Sequence, residues 1–344
     1  MLRLVKIQEW IYLNVLKTRV FGWLMSLFYL IAGRVVWLTA RTGIGSNACL
    51  KYGFLPLAVH FYSPVPDIDD LRRRAVWKQK SSLSGIDFNI DGQRALLKEI
   101  GLRFSSECAW GVTSERPSDF VLDNQTFSYG CAASTHSMIR HFRPARVIEI
   151  GSGMSSRVIS RALDMNRDED GRSAEYIIVD PYPGDVVRRR DLSVSRLLVQ
   201  RVELLDPDFF DGFGENDILF IDSGHAVRIG SDVNFLFFEV LPRLSPGVIV
   251  HVHDIGLPYE YPETYCVSEE LRQFWTEQYL LQAFLYGQKD FEVMLAMNFI
   301  MTDHKELFNE AFPLYDARTS PNNSGSFWLR RKPISLPPEV PVDV

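Results

Sequence analysis

Histidines and aspartates follow two short apolar segments in the second half of the chain. The apolar part of DILFIDSGH ends at Asp222, with His225 three residues later, and VIVHVHD ends in His253 and Asp254. If both segments are neighbouring parallel strands, which lie about 4.8 Å apart, these side chains meet at one edge of the sheet. Oxygen ligands suit Mg²⁺, whereas a histidine ligand moves the preference toward Mn²⁺, Fe²⁺ or Zn²⁺. The pattern predicts one polar cluster that can hold a divalent cation; His251 either supports it or is a hydrogen-bonded core histidine.

A glycine-containing turn precedes this cluster in the chain. The segment VIEIGSGMSS places Glu149 at the end of an apolar strand, followed by Gly151 and Gly153, which let the backbone turn sharply and approach a ligand. Ser155 or Ser156 is a candidate N-cap for the helix that follows. Two glycines at this spacing fit a phosphate-binding loop, another cofactor loop or a plain strand-to-helix turn.

The next apolar segment, YIIVD, ends in Asp180, 27 residues after Gly153. A carboxylate at the end of the second strand, beside the glycine turn, can accept hydrogen bonds from both ribose hydroxyls of an adenosine. That adenosine can belong to NAD or to S-adenosylmethionine. The alternative is that Asp180 only begins the turn DPYPG.

The elements that must position these residues alternate between short apolar strands and helical patterns from Ser134 onward. This alternation predicts a doubly wound α/β fold with a mostly parallel sheet, covered by helices on both faces and binding ligands at the carboxyl ends of its strands. Later segments predict a core-facing helix over 269–285 and strands at 291–298 and 325–331. The expected organisation is an apolar helical segment at 1–42, an irregular cap or oligomer contact at 43–130, a cofactor-binding domain at 131–333 and a proline-rich tail at 334–344.

The run Glu149-Ile-Gly151-Ser-Gly153-Met-Ser155 resembles the first motif of class I S-adenosylmethionine-dependent methyltransferases, acid-x-Gly-x-Gly-x-Gly, with serine in the third glycine position. The resemblance covers roughly residues 131 to 333. It implies a seven-stranded Rossmann-like sheet whose last two strands form an antiparallel pair. It also implies that the loop passes under the methionine part of S-adenosylmethionine and that the acid ending the second strand holds the ribose.

The second half of the site is similar to metal-dependent O-methyltransferases that act on sugar hydroxyls of natural products. By position, this similarity implies that Asp222 and Asp254 bind a metal and that His225 is the general base that deprotonates the acceptor hydroxyl. His253 stands where that branch has an acid. The metal is therefore Mg²⁺ or another divalent cation held with His253, or the site is metal-free with His253 or His225 as the base. The expected reaction is O-methylation of a small-molecule or glycan acceptor, such as a sugar or glycolipid.

Two other functions share parts of these motifs. An NAD-dependent oxidoreductase uses the same loop and ribose acid, but the chain lacks the third glycine and an obvious Tyr-x-x-x-Lys pair. A non-catalytic module of the same fold, for example one acting in glycan assembly, predicts that His225 can be replaced without consequence. The segment IGLPYEYPETY, after the fifth strand, either contacts the acceptor or packs within its own loop.

The amino-acid composition limits the kinds of binding partner that the protein can have. A net charge of -6 gives no general reason to bind nucleic acid, and four scattered cysteines predict free thiols in a reducing, cytoplasmic compartment. Residues 20–33 are apolar, with Trp10, Trp23 and Trp37 in or near them. This segment is a packed helix or homo-oligomer contact, an interfacial membrane helix or a membrane anchor, the first being favoured.

Overall fold

The computed structural model describes residues 19–268, 272–320 and 324–333, and the chain divides after Arg74 into two units. The described part of the first unit contains three helices and a non-helical segment over 51–67, and none of its described side chains is buried. Among the described residues, no single helix is both long and apolar enough to cross a membrane; Gly22–Phe28 and Ala32–Thr42, inclined at 64°, meet the requirement only when taken together. The helices of this unit are α1 Arg19–Thr42, α2 Ser46–Leu50 and α3 Ile68–Arg73.

A seven-stranded sheet forms the centre of the second unit, in the order β3-β2-β1-β4-β5-β7-β6. The first five strands are parallel, and β7 is antiparallel to both β5 and β6. The predicted mostly parallel sheet with an antiparallel pair at its end is confirmed. The strands are β1 Arg146–Ile150, β2 Glu175–Val179, β3 Arg196–Leu198, β4 Ile218–Ile221, β5 Ile249–Val252, β6 Phe291–Ala296 and β7 Phe327–Arg331.

Helices cover both faces of this sheet because its strands are apolar on both sides, and every residue of β4 and β5 is buried. The regular helices are α4 Ile90–Phe104, α5 Tyr129–Phe142, α6 Met154–Asp170, α7 Asp185–Arg188, α8 Asp232–Phe235, α9 Glu263–Val267, α10 Glu277–Leu285, α11 Met297–Asp303 and α12 Lys305–Ala311. A π-helical turn, Leu236–Val240, and a 3₁₀ turn, Leu241–Arg243, continue α8. The sheet and its helices hold the carboxyl ends of β1, β4 and β5 in fixed positions.

The region expected to be irregular contributes to the core of the second unit. Helix α4 buries Leu97, Ile100 and Phe104 in the hydrophobic core. The unit begins at Ala75, within the predicted irregular region of 43–130. The predicted tail, 334–344, lies outside the described residues.

Two local predictions are wrong. Helix α6 begins at Met154 after Gly153, so Ser155 and Ser156 lie inside its first turn and neither is the N-cap residue. Both hydroxyls donate to Glu149, and the Ser156 hydroxyl also accepts a hydrogen bond from the Gly153 N–H. The helix predicted over 269–285 begins only at Glu277, and residues 269–271 lie outside the described residues. Residues 272–276 are not helical: the Gln273 N–H donates to the Tyr265 carbonyl in α9, and the Thr276 N–H donates to the His225 carbonyl in the loop after β4.

Candidate active site

A cavity of about 1460 Å³ opens at the carboxyl ends of β1, β4 and β5. Its wall contains residues that follow each of these three strands. Those after β1 are Ser152, Gly153, Met154 and Ser155, those after β4 are Asp222 and His225, and those after β5 are His253 and Asp254. The volume accommodates a nucleotide-sized cofactor together with a small acceptor. The loops named by the sequence patterns therefore surround a single cavity.

The glycine turn approaches β4 closely and stays open toward the cavity. Gly151 has φ +85°, and a Cβ atom there would lie 1.8 Å from the carbonyl oxygen of Asp222, so only glycine fits. At Gly153 a Cβ atom would meet no atom within 4 Å. The backbone here is consequently free for the close approach of a cofactor.

Glu149 lies beneath the turn and is fully buried. Its carboxylate accepts hydrogen bonds from three hydroxyls, those of Ser155 (2.6 Å), Ser156 (2.8 Å) and Tyr176 (2.5 Å). Burial raises the pKa of Glu149 to about 7, against the opposing effect of these hydroxyl bonds. Glu149 is not part of the cavity wall, so its direct contacts serve to hold the loop in shape.

Asp180 follows β2 and is nearly buried. One carboxylate oxygen accepts a hydrogen bond from the Ser152 hydroxyl (2.5 Å), and the other accepts one from the Tyr182 N–H (2.7 Å). The second bond is the turn contact that the simpler interpretation of Asp180 requires. The first joins Asp180 to a residue of the cavity wall, at the side of the glycine turn.

The four residues predicted to form a polar cluster do converge. Oδ1 of Asp222 lies 3.4 Å from Nε2 of His225 and 3.3 Å from Nδ1 of His253. Oδ2 of Asp254 lies 3.5 Å and 3.4 Å from the same two nitrogens. His225 (φ +54°) and Asp254 (φ +57°) both adopt a left-handed backbone conformation that is costly for non-glycine residues. The fold thus holds two imidazoles against one pair of carboxylates.

The charges in the cluster perturb each other strongly. Burial would lower the pKa of His225, but hydrogen bonds to Asp222 and Glu277 and the charge of Asp254 raise it to about 10. Burial would also lower the pKa of His253, but the Asp254 and Asp222 carboxylates outweigh this effect and raise it well above its ordinary value. Burial also works against ionisation of Asp222, yet the two histidines hold the pKa of this carboxyl well below its usual range. The carboxylates therefore favour the positively charged form of both imidazoles.

The arrangement fits a divalent cation. Asp222, His225 and Asp254 each offer a ligand atom, and these atoms lie within 4.8 Å of one another. Nδ1 of His253 is buried and makes no hydrogen bond, although two carboxylate oxygens lie 3.3 and 3.4 Å away. An imidazole protonated only on Nε2 would direct its Nδ1 lone pair at two anions in that geometry, and either a proton on Nδ1 or a cation among these atoms removes the conflict. His225 is therefore a ligand candidate as an alternative to the base role expected for it, because its one Nε2 lone pair cannot serve both.

Glu277, the first residue of α10, contacts His225 through its side chain and its backbone. The sequence patterns did not predict it as a site residue. Its side chain is fully buried, and Oε2 lies 2.8 Å from Nδ1 of His225. The N–H groups of Thr276 and Glu277 both donate to the His225 carbonyl, and the Trp275 ring lies 4.5 Å from the imidazole. Glu277 shares the buried face of α10 with Leu281 and Leu285, four and eight residues later. An acid on an apolar stripe is the signal that sequence reasoning could have used.

Cys131 on α5 is a second residue that sequence reasoning did not assign. Its Sγ lies 3.4 Å from Nε2 of His253 and 3.1 Å from Oγ of Ser324, and it forms part of the cavity wall. Burial would raise the pKa of the thiol, but the neighbouring His253 lowers it to about 7.

His251, by contrast, is a core residue: it stacks on Phe220 at 3.8 Å and its Nε2 lies 2.9 Å from Oγ of Ser326.

Aromatic side chains form the cavity wall next to His225. Tyr261 and Tyr265, from the segment IGLPYEYPETY, lie 6.1 and 4.8 Å from the Trp275 ring. Polar side chains, including Asn298 and Arg318, also contribute to the wall. The segment after β5 therefore borders the cavity as well as packing within its loop.

Comparisons with a family model, a curated relative and solved structures each match part of this chain. The family model of a methyltransferase domain matches residues 148–255. An uncharacterised protein of Archaeoglobus fulgidus is 33% identical over 167 residues, covering 46% of this chain and 74% of the relative.

Two solved structures are also similar. The SAH-bound methyltransferase PaMTH1 of Podospora anserina is 15% identical, with 81% of this chain and 100% of that chain covered and a TM-score of 0.36. The plantazolicin methyltransferase BpumL, in complex with a triazolic desmethylPZN analog and SAH, is 12% identical, with 71% and 98% covered and a TM-score of 0.34. Both TM-scores are low, and the fold assignment rests instead on the strand order described above.

The matched residues run from β1, before the glycine turn, to just beyond the second aspartate of the cluster. The matched residues include the glycine turn and Asp180, which favours a methyltransferase over the oxidoreductase alternative. The chain belongs to the class I S-adenosylmethionine-dependent methyltransferases, and S-adenosylmethionine is its cofactor.

Proposed function

We propose that the protein transfers the methyl group of S-adenosylmethionine to a hydroxyl of a small-molecule or glycan acceptor, with His225 as the general base beside a divalent cation. The observation that carries this proposal is the pair of imidazole nitrogens that face the same two carboxylate oxygens at 3.3 to 3.5 Å. This cluster borders the same cavity as the glycine turn.

Charge balance in the cluster explains why a cation belongs to the proposal. Asp222, Asp254 and Glu277 bring three negative charges, and two positive charges compensate most of them. Two protonated histidines meet that demand, but then His225 has no lone pair with which to accept a proton. A divalent cation meets the same demand while both imidazoles are neutral, because metal binding displaces protons from its neighbourhood. The cation would be held by Asp222 and Asp254, with His253 as the additional nitrogen ligand.

The bound groups supply two things: S-adenosylmethionine carries an electrophilic methyl group on a sulfonium, and the cation acts as a Lewis acid that makes a hydroxyl more acidic. The chain supplies the rest. The turn at Gly151 and Gly153 leaves room for the cofactor, and Asp180 accepts hydrogen bonds from its ribose. Nε2 of His225 takes the proton of the acceptor hydroxyl, and alignment of the two reactants supplies much of the remaining rate.

Glu277 sets the state in which His225 works. Its carboxylate accepts a hydrogen bond from the Nδ1–H of the imidazole. This keeps the proton on Nδ1 and leaves the lone pair on Nε2, the nitrogen beside Asp222 and Asp254. The two backbone bonds from Thr276 and Glu277 to the His225 carbonyl fix the loop that carries it. Glu277 is therefore a positioning residue in this mechanism.

The acceptor faces a mixed surface. Tyr265 and Trp275 present ring faces or edges near His225, while Asn298 and Arg318 provide polar contacts elsewhere in the wall. Such a combination suits a sugar ring, whose C–H face packs on aromatic rings and whose hydroxyls need polar partners.

The four described cysteines are free, which supports the further proposal of a reducing, cytoplasmic location.

The test is methyl transfer to a panel of sugars and hydroxylated natural products, with S-adenosylhomocysteine formation measured in the presence of Mg²⁺ or Mn²⁺. We expect turnover with at least one hydroxyl acceptor and its loss in His225→Ala. His304→Ala, at a partly exposed histidine outside the cavity wall, is the matched control and should keep activity. Turnover that survives His225→Ala would contradict the base assignment, and cofactor binding without any turnover would favour the non-catalytic module.

A further inference from the structure

We propose that the first unit binds an anionic membrane surface, with α1 lying in the plane of the interface. This inference is independent of the chemistry proposed for the cavity. It concerns the segment from Trp10 to Pro66, whose charge differs from that of the rest of the chain, and the exposure of its described side chains from Gly22 onward.

The charge of this segment has a single sign. From Trp10 to Pro66 the chain contains five basic residues and no acidic residue, although the whole protein has a net charge of -6. The basic residues are Lys17, Arg19, Arg34, Arg41 and Lys51. A surface of this kind is attracted to anionic headgroups and gains from each cation that comes close to them.

Many apolar side chains in the described part of this segment are exposed. No described side chain from Gly22 to Arg74 is buried, and the exposed fractions include 66% for Trp23, 80% for Leu30 and 93% for Phe61. An exposed apolar surface of this extent marks a binding surface in a folded protein.

Aromatic and basic side chains lie together on one side of α1. Arg34, Trp37 and Arg41 are spaced by three, four and seven residues, which places them on one helix face, and all three are exposed. The Arg41 guanidinium lies 5.6 Å from the Trp37 ring centroid. Tryptophan rings and arginines are the side chains favoured at the boundary between headgroups and acyl chains.

Orientation in the membrane plane follows from the shape of α1. Its two apolar parts, Gly22–Phe28 and Ala32–Thr42, are inclined at 64° to each other, and neither is long enough to cross hydrocarbon. A helix bent in this way can place both parts in the interface. A second copy of the chain is a poorer occupant, because two surfaces that carry only positive charge repel each other and offer no acid for pairing.

Flotation of the full-length protein with phospholipid vesicles tests the proposal. We expect binding to vesicles of phosphatidylcholine with phosphatidylglycerol, much weaker binding to phosphatidylcholine vesicles, and a decrease with added salt. Each cation near an anionic surface contributes roughly fivefold to binding, so Arg34→Gln, Arg41→Gln and Lys51→Gln together should weaken it on the order of 100-fold.

The matched control replaces three exposed cations of the second unit, as Lys98→Gln, Arg172→Gln and Lys289→Gln, and should bind like the wild type. Trp23→Ser with Trp37→Ser should weaken binding by loss of apolar contact, and thermal unfolding of each variant checks that the second unit is folded. Equal binding of both charge variants would overturn the proposal. So would a stable dimer, seen by light scattering, that fails to bind vesicles.

Discussion

Replacing Glu277 probes how the fold prepares His225 for its role. The Glu277 carboxylate is fully buried and lies 2.8 Å from Nδ1 of His225. Glu277→Gln keeps the shape and an acceptor oxygen but removes the charge, which changes a charged hydrogen bond into a neutral one and costs about 1 kcal/mol. We therefore expect kcat to fall roughly fivefold in Glu277→Gln and on the order of 100-fold in Glu277→Ala, with KM for S-adenosylmethionine nearly unchanged.

The pH profile adds a readout that loss of stability would not produce. Glu277 is one of the groups that raise the pKa of His225. A base must be unprotonated to act, so activity falls on the acidic side of its pKa, and removal of the Glu277 charge lowers that pKa. Steady-state rates over a pH series should show the acidic limb of Glu277→Gln moved to lower pH while its plateau is reduced.

A remote histidine–glutamate pair provides the matched control. Glu107 lies 2.7 Å from Nε2 of His136 and borders no part of the cavity wall. Glu107→Gln should lower stability but leave kcat per folded molecule and the pH profile unchanged. If Glu277→Gln behaves like Glu107→Gln in both measurements, Glu277 has only a structural role and the reasoning is refuted.

Three further predictions concern the cofactor, the loop and the cation. Asp180→Ala should weaken S-adenosylhomocysteine binding by about 1 to 3 kcal/mol in calorimetry, while Asp185→Ala, at an exposed acid nearby, should not; equal affinities would exclude the ribose contact. Because burial raises the pKa of Glu149 from 4.5 unfolded to about 7 folded, its contribution to stability is present below pH 4.5 and is lost as the pH rises through 7. In Glu149→Gln the free energy of unfolding, measured with denaturant, should no longer fall by about 3 kcal/mol over this pH range. If the free energy of unfolding depends on pH in the same way in this variant and in the wild type, Glu149 does not titrate as described. Chelation of divalent cations should abolish turnover and re-addition should restore it, whereas full activity after chelation would leave a metal-free site.

The sequence predicts the sheet and the cluster because both follow from local rules. Apolar strands that alternate with helices form a parallel sheet, and residues directly after such strands share one edge. That rule brought Asp222, His225, His253 and Asp254 together without knowledge of any contact between them. The glycine turn is predictable for the same reason, since Gly151 has a backbone conformation that side chains disfavour.

What the sequence does not reveal depends on contacts between distant segments. Glu277 reaches His225 across 52 residues, and Cys131 reaches His253 across 122. The helix that begins at Glu277 was predicted too long at its start, because the apolar spacing carries no sign of the backbone bonds from residues 273–277 to Tyr265 and His225. Ser155 and Ser156 were misassigned as N-cap residues because the helix begins before them, at Met154, and their hydroxyls donate to the buried Glu149 carboxylate.

The most direct test is a crystal structure with S-adenosylhomocysteine bound and Mn²⁺ soaked in, read by anomalous scattering. The account predicts the nucleoside beside Asp180 and the glycine turn, and one Mn²⁺ peak between the carboxylates of Asp222 and Asp254 within reach of an imidazole nitrogen. A well-ordered cofactor with no Mn²⁺ at those carboxylates, or a cofactor bound away from the turn, would contradict it.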